Sequence, residues 1–279
     1  MKIPKYWAKS EGTVEKPDGE PLSLMAWGWS EDSVAAAAAH AKQRFGSLVD
    51  RVRQGLELPR GYAYGSRPLR EQILEELHGS DGALRGLLTR NSYGSVVLNA
   101  AQAMFVDVDL PEGALEEKKG WFGSKSGGEA AALDGLRGRL QQSASGGFRV
   151  YRTAAGFRLL ATDRLYAPAS GDAERVMRAV GADPAFIQLC KVQDSFRARL
   201  TPKPWRCGKR PPPGQFPRED ASEQREFASW VAEYDRASAS KATCRFVEAV
   251  GPGAVHAEVA PILALHDERT KANAGLPLA

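Results

Sequence analysis

Alternating hydrophobic and polar positions predict strands in the N-terminal and central parts of the chain. LSLMAWGWS (22–30) has Trp27 and Trp29 on one side. ALRGLLTRN and YGSVVLNA are typical of a strand and turn, and they lead into AMFVDVDL (103–110). We therefore expect a hairpin whose second strand carries Asp107 and Asp109. GGFRVYRTAAGFRLLATD (146–163) predicts a clearer hairpin, with TAAG at its turn.

Helical patterns separate these strands. Ser30, or less favourably Ser33, can cap an Ala-rich helix that runs to about Gly55. A second helix is predicted at 66–79, beginning near Ser66–Pro68 and ending at Gly79. A polar, Gly-rich loop is predicted at 111–128, an extended basic segment at 196–217 and a strand near 242–250. The further predicted helices are 129–142, 172–180, 184–193, 222–237 and 256–268.

The order of elements predicts an α+β fold, with a mostly antiparallel sheet, helices packed on one face and an N-terminal helical part. We divide the chain into an N-terminal α/β subregion at 1–80 and a larger unit at 81–279, which could also form one continuous domain. The 279 residues are 43% hydrophobic and 26% charged, which is typical of a globular protein with a substantial core.

Composition narrows the classes of function only slightly. The net charge of +4 does not by itself indicate a nucleic-acid binder. No apolar run approaches the roughly 18 residues of a spanning helix, and no signal peptide is apparent, so we expect a cytoplasmic protein without membrane partners. The three cysteines form no CxxC pair, and the four histidines show no ligand spacing. We expect these histidines at the surface or at helix ends.

Asp107 and Asp109 are the most distinctive candidates for chemistry. Side chains alternate along a strand, so the two carboxylates share a face, about 7 Å apart. Aspartate is depleted in strands and costly to bury, so packing alone explains the pair poorly. Such oxygens suit Mg²⁺ or Mn²⁺ bridged to substrate phosphates. The alternative is a solvated strand end in which one aspartate caps a turn.

Two basic segments offer anion contacts. The hairpin at 148–163 carries several arginines, whose planar donors match phosphate, and Gly156 allows close backbone approach. FRARLTPKPWRCGKR (196–210) interleaves six cations with two aromatic rings, as sites for single-stranded nucleic acid do. Solvated or paired arginines are the alternative for both segments. The predicted nucleic-acid contacts are Arg197, Arg199, Lys203, Trp205 and Arg206.

These motifs together resemble the archaeo-eukaryotic primase superfamily, whose primase–polymerase domains are built on an RRM-like palm. FVDVDL (105–110) is similar to the family's first motif, an apolar strand with DxD. TAAGFR (153–158) is similar to its second motif, a small residue and a glycine before a nucleotide-binding histidine. The resemblance covers about residues 85–205, and it implies that Thr153, Gly156 and Arg158 contact the nucleotide.

The sequence departs from the family pattern at two places. Arg158 stands where the family has histidine; arginine can hold a triphosphate but does not titrate in the same way. The family's third metal-binding aspartate has no clear counterpart. Asp194 and Asp163 are the candidates, and Asp194 is preferred with Asp107 and Asp109 as the catalytic set.

The resemblance implies a metal-dependent nucleotidyltransferase that uses Mg²⁺ or Mn²⁺, nucleoside triphosphates and single-stranded or primed nucleic acid. A palm that binds nucleic acid or nucleotide without turnover is the first alternative, and Arg158 favours it. Another DxD metal enzyme, such as a nuclease or a nucleotide-sugar transferase, is the second alternative.

Overall fold

The computed structural model describes residues 1–58, 67–111, 113, 117–119, 125–143 and 146–279. The strands are β1 (Tyr6–Glu15), β2 (Pro21–Ser30), β3 (Gln72–His78), β4 (Leu84–Arg90), β5 (Val96–Ala100), β6 (Phe105–Asp109), β7 (Glu117–Lys119), β8 (Lys125–Gly127), β9 (Phe148–Thr153), β10 (Gly156–Ala161), β11 (Phe196–Arg199) and β12 (Cys244–Val250). The helices are α1 (Val34–Arg53), α2 (Gly128–Ser143), α3 (Gly171–Val180), α4 (Pro184–Gln193), α5 (Ala221–Ser238) and α6 (Val259–Thr270), with a 3₁₀ turn at Pro204–Cys207.

The N-terminal unit is an antiparallel hairpin of β1 and β2 packed against α1. Ser33 caps α1 by accepting a hydrogen bond from the Ala36 amide, so our preference for Ser30 was wrong. The hairpin approaches α1 closely at Gly28, where an added Cβ would lie 2.2 Å from the Ala41 backbone nitrogen. A small separate core lies between these elements; its buried members are Val14, Leu24 and Val52.

The first of two four-stranded sheets has the order β11-β5-β4-β3, with every pair antiparallel. The helix predicted at 66–79 was wrong, because Gln72–His78 forms the edge strand β3. Its residues have good helix propensity, but ladder hydrogen bonds to β4 decide the outcome. The boundary proposed at residue 80 falls between β3 and β4, which pair with each other.

The second sheet has the order β12-β9-β10-β6, also antiparallel throughout. The predicted β9–β10 hairpin is confirmed. The other predicted hairpin was wrong, because β5 pairs with β4 and β11 whereas β6 pairs with β10. Strands β7 and β8 form a short separate ladder within the predicted loop at 111–128, part of which lies outside the described residues.

Five later helices agree with the sequence predictions to within about three residues at each end. One continuous core joins both sheets to α2, α3, α4 and α6. Its fully buried members include Leu98, Phe105 and Leu159 in the sheets and Met177 in α3. The α+β class with antiparallel sheets is therefore confirmed. The RRM-like palm remains a prediction.

Candidate functional site

Asp107 and Asp109 lie on β6, where the strand passes from the core to the surface. The alternate residues Val106 and Val108 are buried, as the period-two pattern predicts. Asp109 is exposed, while the side chain of Asp107 retains 31% of its accessible surface. Phe105, on the aspartate face, is fully buried and contacts the ring of His266. Only the outer end of this face is therefore open to a ligand.

The β6–β10 register places Arg158 directly opposite Asp107. The Arg158 Nε and Nη2 atoms donate to the two carboxylate oxygens of Asp107 over 2.7 and 2.9 Å. Burial alone would raise the pKa of Asp107, but the charge and hydrogen bonds of Arg158 hold it below its usual value. Asp107 therefore stays ionised, and this bidentate pair occupies one side of each oxygen.

Arg158 is 1% exposed and points away from solvent. Its Nη1 donates to the Arg199 carbonyl oxygen at 2.7 Å and lies 3.5 Å from Nε2 of His266. The predicted contact of Arg158 with nucleotide phosphates stays a prediction, but in this structure its donors face Asp107 and the backbone. Its most direct effect is to orient Asp107.

His266 and Asp267 extend this network beyond Arg158. Because Arg158 can only donate, we assign the proton of neutral His266 to Nδ1, which lies 3.1 Å from Asp267 Oδ1. Asp267 also accepts from Tyr151 and Arg149. Burial lowers the pKa of His266 to about 4, so the ring is neutral at pH 7. The surface position expected for this histidine was wrong, since it is fully buried.

A cleft of about 390 Å³ opens beside the aspartates. Asp107 and Asp109 form one wall, and the β9–β10 turn contributes Thr153 and Ala155. The first part of α4 and its N-cap also line the cleft. The cations that line this cleft are Arg199, Lys203 and Arg206. Three of the five predicted nucleic-acid contacts are thus brought together with both aspartates.

These cations are held close to one another. Burial and the neighbouring charge of Arg158 lower the pKa of Arg199. Burial and Arg199 likewise lower the pKa of Lys203, against the weaker opposing effect of Asp109. A bound anion would relieve this repulsion, so the cleft is suited to a phosphorylated ligand.

The β9–β10 turn is shaped by two of the predicted nucleotide contacts. Thr153 Oγ1 accepts a hydrogen bond from the Gly156 amide at 3.1 Å. A Cβ on Gly156 would lie 2.1 Å from the Val108 carbonyl oxygen, so the close approach of β10 to β6 requires glycine. Thr153 also lines the cleft, whereas Gly156 acts through the backbone position.

Other predicted residues lie elsewhere. Asp194 follows α4 in the left-handed conformation and accepts from the Met1 amino group at 3.5 Å, at the end of α4 opposite to the cleft. Asp163 does not line the cleft either. Arg197 is buried and donates to Asn99 and Glu71. Its guanidinium is therefore engaged inside the protein, and its predicted contact with nucleic acid stays a prediction.

Trp205 and Asp183 border the same region. Trp205 is 48% exposed, lies edge-on to Tyr93, and carries the Lys203 ammonium 5.3 Å from its ring centroid. Asp183, which the sequence analysis did not select, caps α4 and lines the cleft. Its capping role was readable from the Asp-Pro helix start, but its position near β6 depends on tertiary structure.

The two β6 carboxylates offer the hard oxygen ligands that Mg²⁺ and Mn²⁺ prefer. Among the described residues, no group of three or more His, Cys, Asp or Glu side chains is arranged to hold a metal ion. The second lone pairs of Asp107 and the exposed Asp109 fit a cation that a substrate's phosphates also ligate. Asp107 and Asp109 alone do not provide enough ligands for a metal site made only of protein side chains.

Comparisons with protein-family models, curated proteins and solved structures find no match to this chain. Within the described residues, no helix is long and apolar enough to cross a membrane.

Proposed function

We propose that this protein is a nucleotide-binding, palm-type domain related to the primase–polymerases, and that its cleft holds the phosphates of a nucleoside triphosphate. The observation that carries the proposal is the convergence of Arg199, Lys203 and Arg206 on the cleft that Asp107 and Asp109 also line. Basic side chains at 199–206 and carboxylates on β6 are far apart in sequence, and the fold places them on one ligand-sized cavity.

Each group has a distinct part in binding. Arg199 and Arg206 offer planar donors to phosphate oxygens, and Lys203 adds a mobile point charge. Asp107 and Asp109 would hold a divalent cation that neutralises the same phosphates. Trp205, which is exposed beside Lys203, offers a face on which a base can stack.

The first experiment is a titration of a fluorescent nucleoside triphosphate analogue by anisotropy, with and without Mg²⁺. The double variant Lys203→Ala, Arg206→Ala should bind about tenfold or more weakly, since a hydrogen bond to a charged group contributes about 1.5–3 kcal/mol. Lys209→Ala is the matched control, because Lys209 is nearby in sequence but pairs with Glu233. Equal affinity in all three proteins would refute binding in this cleft.

Metal-dependent nucleotidyl transfer is the second candidate function. It is favoured by the placement of both β6 aspartates on the wall of the cation-lined cleft. A divalent cation bound there would supply electrostatic stabilisation to phosphoryl transfer. The chain itself would contribute the orientation of Asp107, which Arg158 fixes through two hydrogen bonds.

This candidate is tested by nucleotide incorporation on primed and unprimed single-stranded templates with Mg²⁺ or Mn²⁺. Asp109→Asn is the informative variant, because Asp109 is exposed and its replacement leaves the Asp107–Arg158 pair intact. Product that disappears in Asp109→Asn supports transfer. Triphosphate binding without product supports the binding module, and consumption of nucleic acid or nucleotide sugar without polymer supports the other DxD enzymes.

A further inference from the structure

Three tryptophans cluster on the N-terminal hairpin, at strand positions that alternate with Gly28, the residue that approaches α1. The register pairs Trp7 with Trp29 and Lys9 with Trp27, so these side chains belong to one face of β1 and β2. Trp7 is buried and lies 5.6 Å from the Trp29 ring. Trp27 and Trp29 remain half-buried. Part of each of these two rings is therefore exposed, although His40 of α1 also lies edge-on to Trp29.

Two cavities meet at these rings. The narrow cavity, of about 140 Å³, is lined by all three tryptophans and by Arg67 and Arg70. A wider one of about 600 Å³ shares Trp29 and Arg67 with the first. The wider cavity also reaches Lys2 and Lys191, with one acid, Glu31, on its wall. Trp29 and Arg67 thus belong to both cavities, whereas Lys191 is paired with Glu174.

Arginines already lie over the tryptophan faces. The Arg70 guanidinium is 3.8 Å from the Trp27 ring centroid, and that of Arg44 is 4.7 Å from Trp29. The Nε of Arg44 is buried and has no hydrogen-bond acceptor among the described residues. Burial and the nearby charge of Arg67 lower the pKa of Arg44. A buried guanidinium N–H without an acceptor would be stabilised if an anion bound beside it.

We infer that this tryptophan–arginine surface, formed by Trp27, Trp29, Arg67 and Arg70, binds single-stranded nucleic acid. Bases would stack on the exposed parts of the two tryptophans, and phosphates would contact the arginines. Proline-rich peptides also dock on aromatic grooves, but the excess of cations at this surface favours a polyanion. The inference does not depend on the function proposed for the cleft.

Helix α4 connects the two regions. Ala185, Phe186 and Leu189 near its start line the cleft, while Lys191 at its end lines the wider tryptophan cavity. Ala185 and Lys191 are about 9 Å apart along the helix axis. A strand held on the tryptophan–arginine surface is therefore near enough to continue toward the cleft, and oligonucleotides of about 4–16 residues are the appropriate probes.

The test uses the full chain and fluorescein-labelled oligo-dT of increasing length, followed by anisotropy and by quenching of tryptophan emission. Trp27→Leu should bind at least about fivefold more weakly than wild type, whereas Trp27→Phe, which retains a ring, should recover most of the affinity. Met25→Ala is the matched control, since Met25 is exposed two residues before Trp27 on the same strand face. This series separates stacking from simple loss of packing.

Charge is tested in parallel by Arg67→Ala against Lys42→Ala, both of which alter exposed residues. Arg67→Ala should weaken oligonucleotide binding and reduce its salt dependence, while Lys42→Ala should not. Triphosphate binding in the cleft should be unchanged by Arg67→Ala, which distinguishes failure of this inference from failure of the proposed function. Wild-type affinity in both Trp27→Leu and Arg67→Ala, or binding of a proline-rich peptide in place of oligo-dT, would overturn the inference.

Discussion

Replacement of Asp107 by alanine should destabilise the protein, whatever its effect on activity. The variant removes the carboxylate that receives two hydrogen bonds from Arg158, whose side chain is 1% exposed and keeps its charge. Loss of one partner from a buried ion pair costs about 3–5 kcal/mol. Asp107 retains 31% exposure, so we expect the lower end, about 3 kcal/mol. That loss corresponds to a Tm decrease of about 6–12 °C for a chain of this size.

Thermal and guanidinium unfolding of matched variants measures this effect. Asp109→Ala is the control, because Asp109 lies two residues away on the same strand face but is exposed, and it should change stability by about 0.5 kcal/mol or less. Asp107→Asn, which retains an acceptor without the charge, should fall between the two. If Asp107→Ala and Asp109→Ala unfold at the same temperature, Arg158 does not depend on Asp107 and the reasoning fails.

The same pair makes a prediction about pH. The folded pKa of Asp107 lies below its unfolded value, so its contribution to stability is fully present above about pH 4 and is lost as the pH falls through the folded pKa. The difference in unfolding free energy between wild type and Asp107→Ala should therefore be largest near neutrality and should shrink in acid. A difference that stays constant down to pH 3 would contradict this assignment.

Three further substitutions test other parts of the network and fold. The folded pKa of His266 is about 4, below the unfolded 6.5, so wild type should lose on the order of 3 kcal/mol between pH 6.5 and 4, and His266→Gln should remove this slope in pH-dependent melts. Gly156→Ala places a Cβ 2.1 Å from the Val108 carbonyl oxygen and should cost about 1–3 kcal/mol; an unchanged melting temperature would refute the close approach. Glu71→Ala strips buried Arg197 of its ion-pair partner and should cost about 3–5 kcal/mol, while triphosphate binding by the protein that remains folded stays at the wild-type value.

Much of the second sheet was predictable because its signals are local. The period-two pattern of 105–109 forms strand β6, and the small residues after Thr153 form the turn of the β9–β10 hairpin. Helices α3, α4 and α5 lie within one residue of their predicted spans, and each begins after a polar N-cap, Ser170, Asp183 or Asp220. These features depend on residues within one turn or one strand of each other.

The wrong predictions concern residues whose structure depends on contacts with distant parts of the chain. QILEELH (72–78) has residues that favour a helix, yet it forms edge strand β3 because it pairs with β4. Arg158 could not be assigned to Asp107 without the β6–β10 register, which joins residues 51 positions apart. Arg197 and Arg199 were both predicted to contact nucleic acid, but only Arg199 lines the cleft, because Arg197 donates to Glu71 and Asn99.

The separate core of the N-terminal unit has a consequence for how this protein opens. Among the described residues, the hydrophobic cluster between β1, β2 and α1 has three buried members and five partly buried ones, whereas the main core is continuous across both large sheets. Segments with so little buried apolar contact open at lower free energy than the global transition. Amide hydrogen exchange in α1 should therefore be faster than in β9 and β10. Single-stranded nucleic acid bound at Trp27 and Trp29 should slow amide exchange in β1, β2 and α1 and leave exchange in the two large sheets unchanged.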